Sequence, residues 1–204
     1  MTTPSAPPAF SDEIEGWLRA EGAKTLGGLG SVFAERAFAV MVLLLMFVPA
    51  LPLPTGGISH AFEIIAVLIA GQMVIGRDTV WLPRRWQARE LGPLVTDKAI
   101  PFMTKWIRRF ERLSRRRGAP LLEHQLAQRL IGVLLIALAI TALLAPPFSG
   151  LDTLPAAGAV IVCLGYILRD VLIIAIGTVV GAAGAVLIVT VGATLLHTIR
   201  RYVF

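Results

Sequence analysis

The stretch Val171–Leu196 constrains the fold most, because it is 26 residues long and carries no charged side chain. As a helix it would measure about 39 Å, enough to cross the roughly 30 Å hydrocarbon core of a bilayer with some tilt. Apolar residues make up 56% of the chain, against about 45–50% in soluble domains. The sequence therefore predicts an integral membrane protein of the all-α class, since a helix satisfies its own backbone groups in lipid.

A hairpin pattern precedes this span. The apolar run Ala37–Leu51 is followed by a tip rich in Pro and Gly, and a second run, Ala61–Gly76, ends at Arg77-Asp78. Each run has 15 or 16 residues, about 23 Å of helix, which is short of a full crossing. Two arrangements are open: the tip reaches the far headgroups of a thinned bilayer, or it forms a re-entrant loop that protein shields from lipid.

The same pattern returns 93 residues later, where Leu130–Ala145, a second broken tip and Leu154–Leu168 lead to Arg169-Asp170. The offset aligns Arg36 with Arg129, Pro54 with Pro147 and Gly57 with Gly150, and a one-residue slip then pairs Arg77-Asp78 with Arg169-Asp170. We interpret the two regions as an internal repeat, the alternative being two unrelated hairpins. Short Pro/Gly-broken segments at corresponding places in two repeats are typical of transport sites.

The segment between the hairpins is basic, since residues 77–129 hold 13 Lys/Arg against five Asp/Glu. A basic loop between apolar segments belongs on the cytoplasmic side of a membrane. Within it, helical spacing predicts an amphipathic helix over Ala99–Leu113. Its apolar face comprises Ile100, Met103, Trp106, Ile107, Phe110 and Leu113, and its basic face Lys105, Arg108, Arg109 and Arg112. Such a helix lies in the headgroup plane and contacts anionic lipid.

These patterns divide one structural unit into five segments. Residues 1–30 form a polar cytoplasmic lead, in which Ser11 is expected to cap a short helix that runs toward Ala23. The first membrane hairpin takes residues 31–78, the basic cytoplasmic or interfacial linker 79–128, the second hairpin 129–170, and the last transmembrane helix with its tail 171–204.

Three ionisable residues near the tips are candidates for an intramembrane site. His60 and Glu63 follow the first tip, and Asp152 lies in the second. If the tips are re-entrant, the three side chains could meet near the midplane and relay protons or hold a cation, because a carboxyl at that depth faces a cavity, a partner or water. If the tips reach the far surface, the same residues are solvated turn residues. Both arrangements stay open.

Two further groups complete the candidate residues. Arg77, Asp78, Arg169 and Asp170 form either membrane-edge turns or ion pairs. Gly177, Gly181 and Gly184 have the small-residue spacing that lets helices approach closely, either within the chain or in a homodimer. Cys163 is the single cysteine, so no intrachain disulfide or cysteine metal cluster is expected. No enzyme signature, metal ligand set or cofactor motif is present in the sequence, and no nucleic-acid recognition motif accompanies the positive charge.

Three motifs resemble the ExoD family of bacterial exopolysaccharide-synthesis membrane proteins. They are Pro52-Leu53-Pro54-Thr55-Gly56-Gly57, the Gly76-Arg77-x3-Trp81-Leu82-Pro83-Arg84-Arg85 run, and Ala145-Pro146-Pro147-Phe148-x-x-Leu151-x3-Pro155-Ala156 with Arg169-Asp170. The resemblance covers the chain from about Leu26 to its end, and it implies a bacterial inner-membrane location and a role in exopolysaccharide production. The second tip departs from the family, because Phe148-Ser149-Gly150 stands where a Pro-x-Gly-Asn-like turn is expected.

Two functions from different classes follow. In the first, a non-enzymatic, multi-pass inner-membrane protein supports exopolysaccharide synthesis or export by binding partners or anionic lipid. In the second, a small transporter or lipid-translocating protein, acting as a dimer, has its site at the two broken tips. The second function requires Glu63 and Asp152 to lie inside the membrane.

Overall fold

The computed structural model describes residues 9–22, 24–25, 28, 36–51, 58–77, 79–81, 83, 87, 96–97, 100–114, 118–146 and 149–203. Eight helices and no strand lie in this part of the chain, which confirms the all-α prediction there. They are α1 (Phe10–Arg19), α2 (Ala37–Phe47), α3 (Ile58–Ile75), α4 (Ile100–Leu113), α5 (Ala119–Leu122), α6 (Gln125–Leu143), α7 (Thr153–Ile167) and α8 (Val171–Val203).

Four of these helices form a ring. Within each hairpin the two arms pack together, α2 with α3 and α6 with α7, and between the hairpins α3 packs on α6 while α2 packs on α7. The first hairpin thus contacts the second through two equivalent pairs, as two copies related by a two-fold axis along the bundle would. This arrangement favours the predicted internal repeat.

The helix ends that flank the two tips lie at one end of the ring. Gly132 near the start of α6 packs on Ala70, Met73 and Val74 near the end of α3, so these two helices run antiparallel. The start of α3 and the end of α6, which flank the first and second tips, therefore lie together at what we call the tip end. The opposite end, where Gly76 contacts Arg129, is the linker end.

The two hairpins end in the same backbone motif. After α3, Gly76 has a φ of 79° and the Arg77 N–H donates to the Gln72 carbonyl at 3.1 Å. After α7, Arg169 has a φ of 55° and the Asp170 N–H donates to the Gly165 carbonyl at 2.8 Å. Both are left-handed caps of the Schellman type.

These caps change the alignment of the two Arg-Asp steps. Gly76 and Arg169 occupy the equivalent positions, and they are separated by the same 93 residues as the other aligned pairs. The one-residue slip that the sequence suggested is therefore not needed. In the alignment that the caps favour, the two Arg-Asp steps are offset by one residue.

The first two turns of α2 are enclosed on all sides. Every residue from Ala37 to Leu43 is buried, with at most 3% of its surface exposed. A helix that is apolar all round is stable only where apolar groups surround it. α2 ends at Phe47, two residues before Pro49, whose nitrogen carries no hydrogen and so cannot continue the helical hydrogen bonds. At 11 residues, about 16 Å, it is shorter than its run of apolar residues suggested.

Apolar side chains on the other helices face outward. They include Ile64, Leu68 and Ile75 of α3, Leu126, Leu130, Val133 and Ile140 of α6, and Leu172, Ile176, Val179, Val186 and Val189 of α8. Two described helices are long and apolar enough to cross a membrane, Gln125–Leu143 and Val171–Thr194, with mean hydropathies of 2.1 and 2.7. α6 reaches 19 residues because its helix begins five residues before Leu130, in a polar turn that the apolar run did not include.

α1 and α4 pack against each other outside the ring. Phe10 and Ile14 of α1 join Ile100, Met103 and Ile107 of α4 in the common apolar core. α1 ends at Arg19, earlier than the expected Ala23, and Ser11 is not its cap. The Ser11 N–H and hydroxyl instead donate to the two carboxylate oxygens of Glu111, at 3.0 and 2.5 Å, so this side chain joins two helices.

Candidate functional site

The first turns of α3 bring His60 and Glu63 together. Residues three apart share one face of a helix, and here His60 Nδ1 lies 2.8 Å from Glu63 Oε2. The His60 side chain is 26% exposed, whereas the Glu63 side chain has no exposed surface. The imidazole therefore connects a buried carboxyl group with the surface at the tip end.

The second carboxylate oxygen of Glu63 lies in a different situation. Oε1 is buried and has no hydrogen-bond partner among the residues that the structure describes. A buried polar atom without a partner is costly, by about 1–3 kcal/mol and more for a charged group. Glu63 is therefore the polar residue of the ring whose placement most needs a functional explanation.

Asp152 completes this group, which we call the tip cluster (His60, Glu63 and Asp152). It immediately precedes α7, is half-buried, and its charge acts on Glu63. Its carbonyl accepts from the Ala156 N–H at 3.0 Å, while its side chain makes no capping hydrogen bond. The structure thus brings the three predicted side chains together at one end of the bundle.

The second tip is closed by Ser149. Its hydroxyl donates to the Pro146 carbonyl at 2.6 Å and accepts from the Leu151 N–H at 3.2 Å, and Gly150 follows with a φ of 67°. A serine side chain can supply such turn contacts in place of an asparagine. Sequence reasoning treated this position only as a departure from the family pattern. Pro54, Gly57, Pro147 and Asp78 lie outside the described residues.

The second Arg-Asp step forms a turn between α7 and α8. Arg169 Nη1 donates to Glu123 Oε1 at 2.6 Å, which ties the end of α7 to the segment before α6. Asp170 is 1% exposed and its Oδ1 accepts from the Leu172 N–H at 3.0 Å, as an N-cap residue does. The contact with Glu123 was not anticipated, because 46 residues separate the pair. Arg77, which follows Gly76 in the turn that ends the first hairpin, is exposed.

The basic face of α4 is divided between two environments. Arg108 donates to Glu15 at 2.6 Å and to Asp12 at 3.3 Å, so it binds α1. Lys105, Arg109 and Arg112 are exposed.

The apolar face of α4 also differs from the prediction. Ile100, Met103 and Ile107 are buried in protein, while Trp106 is 48% and Phe102 49% exposed. The surface that α4 offers to its surroundings is therefore aromatic and basic. It comprises Phe102, Lys105, Trp106, Arg109 and Arg112, which we call the α4 outer face.

The three glycines of α8 lie against the same chain. Gly177 and Gly181 of α8 face Gly158 of α7. A Cβ atom added to Gly158 or to Gly177 would lie 2.5–2.9 Å from backbone atoms of the facing helix. Gly184 packs on Leu154 and Pro155. Gly181 also contacts Leu138 of α6. This close approach accounts for the predicted small-residue spacing without a second copy.

Beyond the tip cluster, two features bear on ligand binding: the absence of a metal-ligand group among the described residues, and an apolar groove. Among the described residues, no group of three or more His, Cys, Asp and Glu side chains could hold a metal ion. An open apolar groove of about 620 Å³ lies at the linker end, between α5, α6 and the start of α8, and is lined by residues such as Leu122, Leu126 and Ile174.

The family model described as "Exopolysaccharide synthesis, ExoD" matches residues 10–190, which is most of the chain. The chain belongs to the ExoD family. An uncharacterized protein from Synechocystis sp. is 28% identical over 185 residues, which cover 89% of this chain and 86% of that protein. No solved structure matches the chain. The ExoD match includes α1 to α7, both tips and most of α8, so the tip cluster and the α4 outer face lie within the family region.

Proposed function

We propose that this ExoD-family protein is a non-enzymatic component of the bacterial inner membrane that supports exopolysaccharide synthesis or export. The family match over residues 10–190 carries the link to exopolysaccharide. The inner-membrane location is supported by the two long apolar helices and by the apolar side chains that α3, α6 and α8 present outward.

The proposed mode of action is binding at the α4 outer face. Three exposed basic side chains, Lys105, Arg109 and Arg112, accompany the half-exposed rings of Phe102 and Trp106. Exposed aromatic and basic groups on one helix suit the headgroup region of a bilayer. Each Lys or Arg near an anionic surface contributes about 1 kcal/mol. Anionic lipid is therefore the partner that this face fits best, with exopolysaccharide machinery docking beside it.

A complementation experiment tests the link to exopolysaccharide. A bacterium whose own ExoD-family gene has been deleted is expected to secrete less exopolysaccharide, and the intact chain is expected to restore secretion. The protein should stay in the membrane fraction after an alkaline wash, which removes peripheral proteins. Full secretion by the deletion strain, or release of the protein by the wash, would contradict the proposal.

The binding mode is tested with a triple substitution, Lys105→Gln, Arg109→Gln and Arg112→Gln. Three lost contacts of about 1 kcal/mol each correspond to roughly 100-fold weaker binding of anionic lipid. Quenching of tryptophan fluorescence by a headgroup-labelled anionic lipid reports the affinity. The matched control removes three bases elsewhere, Arg19, Lys24 and Arg77, and should leave the affinity within a few-fold of the intact chain. Equal effects from the two triples would contradict a specific role of the α4 outer face.

A further inference from the structure

Glu63 presents a buried oxygen atom that has no partner in the part of the chain that the structure describes. Oε2 is 2.8 Å from His60 Nδ1, whereas Oε1 has no hydrogen-bond partner among the described residues. The carboxyl group lies within the four-helix ring and has no exposed surface. A bare carboxylate there costs several kcal/mol unless a small positive species occupies the free oxygen.

The surroundings restrict what that species can be. A metal ion needs several oxygen or nitrogen ligands, and the described residues offer no such group. A proton needs one oxygen. We propose that Glu63 is an intramembrane proton-binding residue, with His60 as the group that positions its carboxyl and Asp152 as the group through which the proton enters and leaves.

In the described helices that surround Glu63, few side chains are charged or titratable. Few groups can therefore pass a proton to or from Glu63. α2 carries no titratable side chain between Ala37 and Phe47. In α6 the charged residue is Arg129, which contacts Gly76 at the linker end, far from the tip cluster. In α7 the nearest titratable group is Asp152, and beyond it Cys163 and Tyr166 lie two or more turns further along the helix. Among the described residues, His60 and Asp152 are therefore the two titratable groups close enough to affect Glu63.

The step itself is a simple proton transfer. Asp152, which is half-buried, takes a proton from water at the tip end. Glu63 Oε1 and the Asp152 carboxyl are not hydrogen-bonded to each other, so the proton passes between them through a water molecule that enters from the tip end. The O–H bond of Asp152 breaks, an O–H bond forms on Glu63 Oε1, the water is left unchanged, and the negative charge moves from Glu63 to Asp152. His60 keeps its hydrogen bond to Oε2 throughout, and no other bond changes.

This proposal deepens the proposed function. It rests on a membrane location for the ring, and it assigns a proton-binding residue to that ring. An ExoD-family protein that binds a proton at its tip end could respond to the acidity of one side of the membrane. The proton binding is measured on purified protein, and the exopolysaccharide role in cells, so either proposal can fail without the other.

Infrared difference spectroscopy of the full chain in lipid nanodiscs tests the proposal. A protonated carboxyl group has a C=O stretching band that an ionised carboxylate lacks. At neutral pH, where ordinary carboxyl groups are ionised, we expect one such band per chain, lost as the pH is raised further and absent from Glu63→Gln. Glu21→Gln, which removes an exposed carboxyl outside the bundle, should keep the band. A band that persists in Glu63→Gln, or its absence from the intact chain, would overturn the assignment.

Two further variants make the result independent of any folding defect. Glu63→Asp keeps the acid and should shift the band frequency, whereas an unshifted band would assign the proton to another residue. Asp152→Asn should leave the band amplitude unchanged and slow its appearance after a pH jump by at least several-fold. Loss of the band in Asp152→Asn would place the proton on Asp152 and contradict the role of Glu63.

Discussion

Gly158 and Gly181 meet at the contact between α7 and α8, where a Cβ added to Gly158 would lie 2.5 Å from the Gly181 Cα atom. Real Cβ atoms do not approach backbone so closely, so the helices would have to move apart. This contact fixes α8, the longest apolar helix, on the ring.

We therefore expect Gly158→Ala to lower the stability of the folded protein by about 1–3 kcal/mol, the usual cost of overpacking. Thermal unfolding in detergent measures the change. Gly192→Ala is the matched control, because an added Cβ at Gly192 meets nothing within 4 Å. Alanine should be neutral or stabilising there by up to about 1 kcal/mol, since it favours helix. Equal melting temperatures for the two variants would contradict the packing argument.

The contact of Glu111 with Ser11 should hold α1 on α4. Glu111→Ala removes the acceptor of both the Ser11 N–H and the Ser11 hydroxyl, and a lost hydrogen bond to a charged group costs about 1.5–3 kcal/mol. We expect amide hydrogens of residues 10–19 to exchange about 10-fold faster or more, measured by mass spectrometry. Arg112→Ala, an exposed change on the same helix, should leave that exchange unaltered. Unchanged protection in Glu111→Ala would show that the apolar contacts alone hold α1.

The pseudo-two-fold relation predicts a contact that links the two hairpins at the linker end. Arg129, which begins the second copy, lies against Gly76, which ends the first. By the same relation Arg36 should lie against the Arg169–Asp170 turn. In a Cys163→Ala background, we expect Arg36→Cys and Asp170→Cys to be joined by a short bifunctional thiol reagent. Arg36→Cys with Ser149→Cys, at opposite ends of the ring, should not react, and cross-linking of both pairs or neither would contradict the relation.

Single cysteines should define the sides of the membrane. Ser149 is exposed at the second tip, and Arg77 is exposed at the linker end. In a Cys163→Ala background, Ser149→Cys is expected to react with an impermeant thiol reagent on intact cells, and Arg77→Cys only after permeabilisation, since basic loops face the cytoplasm. The reverse pattern would invert the proposed topology. Reaction of neither residue in intact cells would mean that the second tip is shielded within the membrane.

The features that depend on local sequence could be predicted. The 26 uncharged residues of Val171–Leu196 lie in α8, and the helical spacing of Ile100, Met103 and Ile107 identified the buried face of α4. The periodicity of apolar residues and the length of an apolar run are properties of one segment, so they can be read from a single sequence. The start of α6 at Gln125 was missed, because its first turn is polar and only the following apolar run was visible.

Features that depend on distant parts of the chain could not be predicted. Ser11 has the composition of a helix cap, but its partner Glu111 is 100 residues away. The burial of Glu63 depends on how the ring closes around α3, which no pattern near Glu63 records. The sequence predicted His60, Glu63 and Asp152 as candidates at the tips, and only the packing of the four helices places them at one end of the ring.

The burial of α2 has a consequence for how the chain is made. α2 leaves the ribosome before α7, which covers part of its surface and is synthesised more than 100 residues later. Until then, lipid or the insertion machinery must surround α2, because its whole circumference is apolar. During biogenesis α7 therefore replaces part of the lipid or insertion machinery that first contacts α2. The ring closes only when the second hairpin has been inserted.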